Sequence, residues 1–435
     1  MIARELLRGA GLAFALRVAG AGLGLVLNWW LAHHLGPSGL GLFFLAMTVV
    51  SIAALAGRLG LENAVLRFIS TAVAGQDWDK VRQVSRDSMI LATGASILVT
   101  AALVLLAPWA STALFHKPQL IQPLRWLAFA IILMAAIVLY GEMLKAVQRI
   151  RDAQIVQSVM TPALALGIFA ALGTLNLKTV VLTYSLAMLA TALAGWLLWR
   201  RSCPQLHGLR PAHDYRGLLT TSTSFIWVQA MYTLTDWADI LILGMVGSSE
   251  QVGIYGLAKR IAMAISFVLI AVNNVVSPRF AAFHHNGDRE SLRRVAIHAS
   301  RMTALTAGPF LITLLLVPGW IMNLFGHGFQ TGGIVLGILV AAQFVNIATG
   351  SVGQILAMTG HEKTLRNIAV SSTVLNIALL VVLTPLFGMI GAALSTGLAI
   401  IIDNLLKSYF VVKYHGFRVD IIAASLPGKR QPLTQ

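Results

Sequence analysis

This chain is short of charge, of cysteine and of long polar stretches. Only 11% of its 435 residues are Asp, Glu, Lys or Arg, against about 25% in a soluble domain. Its single cysteine, Cys203, excludes an internal disulfide and says nothing about redox compartment. No outward connection is long enough to hold an external catalytic domain, which argues against a membrane glycosyltransferase, polymerase or ligase. No Ser/His/Asp arrangement, phosphate loop or pair of carboxylates at catalytic depth stands out, so no enzyme chemistry and no cofactor are expected. The adjacent pairs His33-His34 and His284-His285 point in different directions on a helix and lack a completing Cys or carboxylate, so no metal site is expected either.

What the chain has instead is apolar sequence, 57% hydrophobic residues. Runs of about 20 apolar residues recur from end to end, the length that crosses a bilayer as helix. A transmembrane barrel would show alternating segments of about 10 residues. Twelve spans are expected, near 11–35, 39–61, 87–108, 123–146, 156–175, 179–199, 219–246, 252–280, 298–319, 331–357, 366–385 and 388–412. The basic, apolar N-terminus has no convincing small-x-small cleavage site and reads as a retained first span. Gly36-Pro37-Ser38, Gly173–Lys178 and Pro385–Gly388 are expected to be tight turns between antiparallel helices.

The net charge of +16 is explained by the loops and calls for no nucleic acid. With the N-terminus in the cytoplasm, twenty-six Lys and Arg fall in connections on the inner side. Lys117, Arg125 and Lys178 alone fall outside, and Arg17, Lys259 and Arg260 lie within spans. The positive-inside rule then puts both termini in the cytoplasm, with anionic phospholipids as partners at that face. Trp29, Trp30, Trp109, Trp126 and Trp320 near outer ends, and Trp196 and Trp199 near an inner end, read as aromatic belts.

An internal repeat is visible at one offset. Gly41–Ala46 resembles Gly253–Ala258, and Gly141–Leu144 resembles Gly353–Leu356, both 212 residues apart. Six spans per copy is an even number, so both copies share an orientation. The expected fold is an all-α polytopic membrane protein with twelve transmembrane helices in two pseudo-equivalent six-helix lobes around a central cavity. The lobes are expected at 1–200 and 219–415, with a cytoplasmic linker at 201–218 and a cytoplasmic tail at 416–435.

Charges inside apolar spans mark candidate functional positions, since each costs about 2.5–3.5 kcal/mol at bilayer depth. Span 7 places Gln229, Tyr232, Asp236 and Asp239 on one helical face. Asp239 lies at a depth similar to Lys259 and Arg260 of span 8. Two readings stand: an ion pair that locks spans 7 and 8, or a cavity-facing pair that holds substrate or a coupling ion. Lys259, Ser266 and Asn273 form a polar stripe at seven-residue spacing. Arg17, with Gly20, Gly24 and Asn28 on nearly the same face, either faces the cavity, which we favour, or snorkels inward. Arg58 and Glu62, at i and i+4, read first as a solvated salt bridge and second as cavity groups. Gln343, Asn346, Gly350 and Gln354 share a face of span 10, and Asp403 and Lys407 pair at i, i+4 in span 12. For both sets, helix packing ranks above binding.

The stretch Leu375–Ala393, LNIALLVVLTPLFGMIGAA, resembles a signature of the Wzx-type polysaccharide flippases. They belong to the superfamily that also holds the lipid II flippases and the multidrug and toxin extruders. Leu35–Gly41, Leu59–Arg67, Asp239–Gly244 and Gly253–Tyr255 resemble the same family in the same order. The resemblance implies a bacterial inner-membrane transporter without an ATP-binding domain. Its substrate would be undecaprenyl-pyrophosphate-linked oligosaccharide, flipped outward by alternating access for O-antigen, lipopolysaccharide or exopolysaccharide synthesis. A polysaccharide polymerase and a chain-length regulator are the implied partners, and coupling to a proton or sodium gradient is open. Within that frame, Arg17, Lys259 and Arg260 suit a pyrophosphate. Glu62, Asp236 and Asp239 suit their counter-charges or a coupling cation. The alternative is a cation-coupled multidrug or small-molecule exporter, whose cavity should be net acidic.

Overall fold

The computed structural model describes residues 2–173, 176–206 and 213–419, with the side chains of 2–10, 224, 225, 227, 228 and 232 left aside. The described residues are helical, with no strand. They divide into two compact units, Met1–Gly253 and Ile254–Gln435. Part of the expected linker, 207–212, and the tail beyond 419 lie outside the described residues.

The first unit holds α1 (Ile2–Arg58), α2 (Leu61–Ala74), α3 (Trp78–Trp109), α4 (Ile121–Ala128), α5 (Ala130–Ala146), α6 (Ile150–Gln154), α7 (Met160–Leu172), α8 (Leu177–Ser202) and α9 (Tyr215–Val246). The next helix, α10 (Ser249–Ala264), begins in this unit and ends in the second. The second unit continues with α11 (Ser266–His285), α12 (Arg289–Leu316), α13 (Pro318–Asn323), α14 (Gly333–Thr349), α15 (Val352–Met358) and α16 (Glu362–His415).

The 57 residues of α1 are too long for one crossing. Gly36 breaks the helix at φ 62°, ψ −178°, a conformation that favours glycine. Pro37, which has no N–H to donate, follows it. Gly388 does the same for the 54 residues of α16, at φ 56°. Each therefore contributes two crossings. Six further helices or helix pairs are long and apolar enough to cross, as is the bent pair α4–α5, with a 43° break. The 32-residue α9 is long enough to cross and stands at the seventh expected span.

Three expected spans are less regular than the apolar runs suggest. Span 4 bends between α4 and α5 at Phe129. Span 8 has a local irregularity at Ile265, between α10 and α11, where the backbone keeps helical angles of φ −60° and ψ −37°. Span 10 is interrupted at Gly350, φ 71°, between α14 and α15. A further amphipathic helix, α2, follows span 2 after a turn at Leu59 (φ 54°) and Gly60 (φ 67°). Its buried face is Leu61, Ala64, Val65, Ile69 and Ala72.

The repeat is visible in local geometry. Gln76, at φ 56°, precedes Asp77, which caps α3 by accepting from the Lys80 N–H at 2.9 Å. Gly287, at φ 69°, precedes Asp288, which caps α12 by accepting from the Ser291 N–H at 2.9 Å. Asp214 and Asn176 cap α9 and α8 in the same way, satisfying first-turn N–H groups that have no helical partner. A Cβ built on Gly41 would lie 1.7 Å from the Ser249 carbonyl oxygen, and one on Gly253 would lie 2.0 Å from that of Pro37. Pro37 and Ser249 are themselves 212 residues apart. The two equivalent helix starts therefore touch backbone to backbone, each through its own glycine.

In the first unit, α5 packs against α1, α2, α3 and α8, with Leu139, Met143 and Leu144 fully buried. In the second, α16 packs against α14 and α15, and Phe280, Leu292, Ile355, Leu356 and Val411 form an apolar core.

Candidate functional site

In the first unit, Arg58 and Glu62 approach to 3.7 Å with side chains only 10% exposed. The pair is thus buried, not the solvated bridge expected from its place near a span end. The cause is the turn at Leu59-Gly60. A Cβ on Gly60 would meet the Ser222 carbonyl oxygen at 2.8 Å, so α9 lies directly over the turn. Arg58 Nε and Glu62 Oε2 are buried without a hydrogen-bond partner, which leaves polar capacity unfilled at this depth.

Elsewhere on α1, Arg17 is exposed and Asn28 half-buried. The Asn28 amide donates to the Gly24 carbonyl at 2.6 Å, so part of its polarity returns to its own helix. On α9, Asp239 is 1% exposed and accepts the Ile240 N–H at 2.7 Å. Asp236, one turn away, is exposed. The Tyr232 side chain of the same expected face lies outside the described residues.

Within the second unit, Lys259 is buried. Arg260 is half-buried and donates to the Gly256 carbonyl at 3.0 Å. The expected polar stripe of α10–α11 meets the polar face of α14. Ser266 donates to the Gln343 side-chain oxygen at 3.0 Å, and Asn346 donates to that same oxygen at 3.0 Å. This is the packing role expected for such faces. Asn273 stands apart, half-buried with Oδ1 lacking a partner. Gln354 falls on α15, half-buried. Asp403 and Lys407 pair as their spacing predicts.

Several groups escaped the sequence. Lys117 is more than a loop charge in the first unit. It donates to the carbonyls of Gly244 at 2.6 Å, Gly247 at 2.7 Å and Phe115 at 3.1 Å, closing the C-terminal end of α9. Burial pulls its pKa below the usual lysine value. His284 and His361 both lie edge-on to His415, with ring centres at 6.0 Å and 5.5 Å, and Thr359 contacts both His361 and His415. Of these, the sequence singled out only His284, as one of an adjacent histidine pair. Among the described residues, no group of three His, Cys, Asp or Glu is placed to hold a metal. Trp199 is 5% exposed and lines a pocket with Arg82 and Trp196, so it does not join an aromatic belt. Trp29, Trp109 and Trp320 are exposed as a belt requires.

Comparison with known proteins places this arrangement. A protein of Haloferax volcanii named "Probable low-salt glycan biosynthesis flippase Agl15" is 23% identical over 415 residues, 94% of this chain and 84% of the relative. A Shigella flexneri protein whose name assigns it provisionally to O-antigen transport is 21% identical over 407 residues, 88% of this chain and 92% of the relative. Neither name is that of an enzyme. Among solved structures, an inward-facing multidrug resistance MATE family transporter of the MOP superfamily aligns over 94% of this chain and 98% of its own, with a TM-score of 0.72 at 15% identity. The lipid II flippase MurJ aligns over 90% of this chain and 85% of its own, with a TM-score of 0.69 at 15% identity. The fold is therefore that of a twelve-helix transporter. The MatE family model matches residues 225–382. The model described as polysaccharide biosynthesis protein matches residues 6–284, well over half of the sequence, and the chain belongs to that family.

Proposed function

We propose that this protein is a flippase for glycan precursors of surface polysaccharide. The observation that carries this reading is the full-length similarity to two relatives named for glycan flipping and O-antigen transport, on a transporter fold. In the finer reading the substrate is an oligosaccharide on undecaprenyl pyrophosphate, moved from the cytoplasmic to the outer leaflet of a bacterial inner membrane by alternating access. Both termini lie in the cytoplasm under this reading, as the loop charges require.

The chemistry of the chain supports a pyrophosphate cargo. Cations on apolar helices are costly to keep, and an anionic headgroup offsets that cost by pairing with them. Arg17 and Arg58 supply such charge from α1, and Lys259 and Arg260 from α10. Asn28, Asn273 and Gln354 supply neutral donors and acceptors suited to sugar hydroxyls. Glu62, Asp236 and Asp239 balance the cations between loads or take up a coupling cation. Polymerase, chain-length regulator and coupling ion belong to the same proposal.

The test replaces Arg17 and Arg260 with Ala, singly and together, at normal membrane abundance, and measures surface polysaccharide. Export should fall in each single variant and collapse in the double variant. Full export in the double variant refutes the binding role. The MatE match over 225–382 favours, as a second reading, a cation-coupled exporter. That reading requires drug accumulation to rise when the gene is deleted while surface polysaccharide stays unchanged.

A further inference from the structure

The pocket lined by Trp199, of about 450 Å³, lies wholly within the first unit. Its walls are α3 and α8, and its floor is Tyr140 and Met143 of α5, the helix that packs against both. Three arginines border it: Arg82 and Arg86 from α3, and Arg200 from the last turn of α8. Arg200 lies over the Trp196 ring, 5.0 Å from its centre, which holds a cation against an aromatic face. Of the three arginines, Asp87 is paired with Arg86. Its carboxylate is already engaged by Arg86 at 3.3 Å, by His213 at 2.6 Å and by the Asp214 N–H at 2.9 Å. Arg82 Nε is buried and has no hydrogen-bond partner. A buried donor of a fixed cation needs an acceptor, and the pocket is the space in which one fits.

The surroundings identify the acceptor's chemistry. Along α8, Leu186, Leu189, Leu193 and Leu197 are exposed at helical spacing, forming an apolar stripe that leads to the pocket. Ile90 and Ile97 are exposed on α3. Apolar side chains face outward as far as the pocket, and arginines begin where they stop. A free small anion has no use for the stripe, and a neutral lipid has no use for the arginines. We propose that this pocket binds the headgroup of an anionic phospholipid. Its phosphate would accept from Arg82 and Arg200, its glycerol region would rest on Trp196 and Tyr140, and one acyl chain would lie along α8. The site is distinct from the transport path proposed above and does not depend on the cargo.

The test is native mass spectrometry of the full chain in detergent, titrated with phosphatidylglycerol or with phosphatidylcholine. One phosphatidylglycerol should bind at least about 10-fold more tightly than phosphatidylcholine, as expected for charge-assisted pairing. Arg82→Gln should remove that preference, Arg82→Lys should keep part of it, and Arg200→Gln at the exposed rim should lower it. Inorganic phosphate at equal concentration should not displace the lipid. Equal binding of the two lipids overturns the proposal. So does unchanged phosphatidylglycerol binding in the Arg82→Gln/Arg200→Gln variant, and so does displacement by phosphate, which would mark a small-anion site. If Arg82→Gln loses its monodisperse elution, Arg200→Gln decides alone, since its side chain lies outside the packed core.

Discussion

The backbone contact between Gly41 and Gly253 allows a sharp test of the repeat. Gly41→Ala puts a Cβ 1.7 Å from the Ser249 carbonyl oxygen. An ordinary contact needs about 3.5 Å, so the helices must part by roughly 1.8 Å at that point. The obstacle is backbone and cannot rotate away, so the cost belongs at the upper end of overpacking, about 3 kcal/mol. Gly253→Ala meets the Pro37 carbonyl oxygen at 2.0 Å and should cost nearly as much. Both substitutions open one crossing. The double variant should therefore lose about 3–4 kcal/mol in place of the roughly 6 expected of independent sites. Gly94→Ala is the control, because nothing lies within 4 Å of its Cβ. There the gain in helix propensity should make the change neutral or stabilising by up to about 1 kcal/mol. Cys203 supplies the assay. It is buried, and burial raises its pKa to about 11, so fewer than about one thiol in a thousand is ionised at pH 7.5. A thiol-reactive fluorophore should therefore report unfolding through this one cysteine. At a fixed heating rate, Gly41→Ala should lower the midpoint by about 6–12 °C. A shift under about 1 °C, or additive effects in the double variant, would refute the close crossing.

Other perturbations follow from the same geometry. Arg58→Gln and Glu62→Gln each leave a buried, uncompensated partner and should cost about 3 kcal/mol. Arg58→Met/Glu62→Met should recover most of that loss, and a double-mutant cycle in thermal unfolding would measure the coupling. Lys117→Ala strips the α9 carbonyls of Gly244 and Gly247 of their donor and should cost about 2 kcal/mol. Lys117→Met should behave the same, because the loss is of hydrogen bonds more than packing. The Asp214 carboxyl is held below its usual value of 3.8, first by the Gly217 N–H, against an opposing effect of burial, and then by Lys80. Its folded pKa lies below the unfolded one, so its stabilisation is present above about pH 4 and is lost as pH falls through the folded value. The protection of the first-turn amides of α9 against hydrogen exchange, corrected for the intrinsic pH dependence of exchange, should fall below pH 4 in the parent and be already low, and flat with pH, in Asp214→Ala.

The fold was readable because its signals are local and repeated. Apolar length, Gly-Pro punctuation and loop charge each report directly on a helix in a bilayer. Gly36, Gly173 and Gly388 all take positive φ where the sequence asks for turns. What stayed hidden depends on partners distant in sequence. Gly350 looks like one small residue on a polar face, yet Ser300 presses against it and it ends α14. Arg58 and Glu62 look solvated until α9 lies over the turn beside them. Lys117 counts as one outward charge, while its partners lie well over a hundred residues away.

The repeat separates scaffold from chemistry. Where the two copies share residues, the shared residues do the same mechanical work. Gly41 and Gly253 admit each other's backbone, and Asp77 and Asp288 cap the helices that follow matching turns. At one pair of equivalent places the copies differ in charge. At offset 212 the places of Lys259 and Arg260 are taken in the first copy by Met47 and Thr48, both buried, with Thr48 returning its hydroxyl to the Phe44 carbonyl at 2.9 Å. A purely structural charge pair serving a symmetric scaffold would be expected in both copies. Its restriction to one copy is what a directional substrate requires, since a cargo with a charged head at one end and a lipid at the other cannot be met symmetrically. Placing Lys and Arg at positions 47 and 48, with Met and Thr at 259 and 260, therefore tests the proposed role directly. If the cations only fasten helices, the exchange should cost stability alone. If they hold the anionic head, export should fail in the exchanged protein even when its Cys203 unfolding midpoint matches the parent.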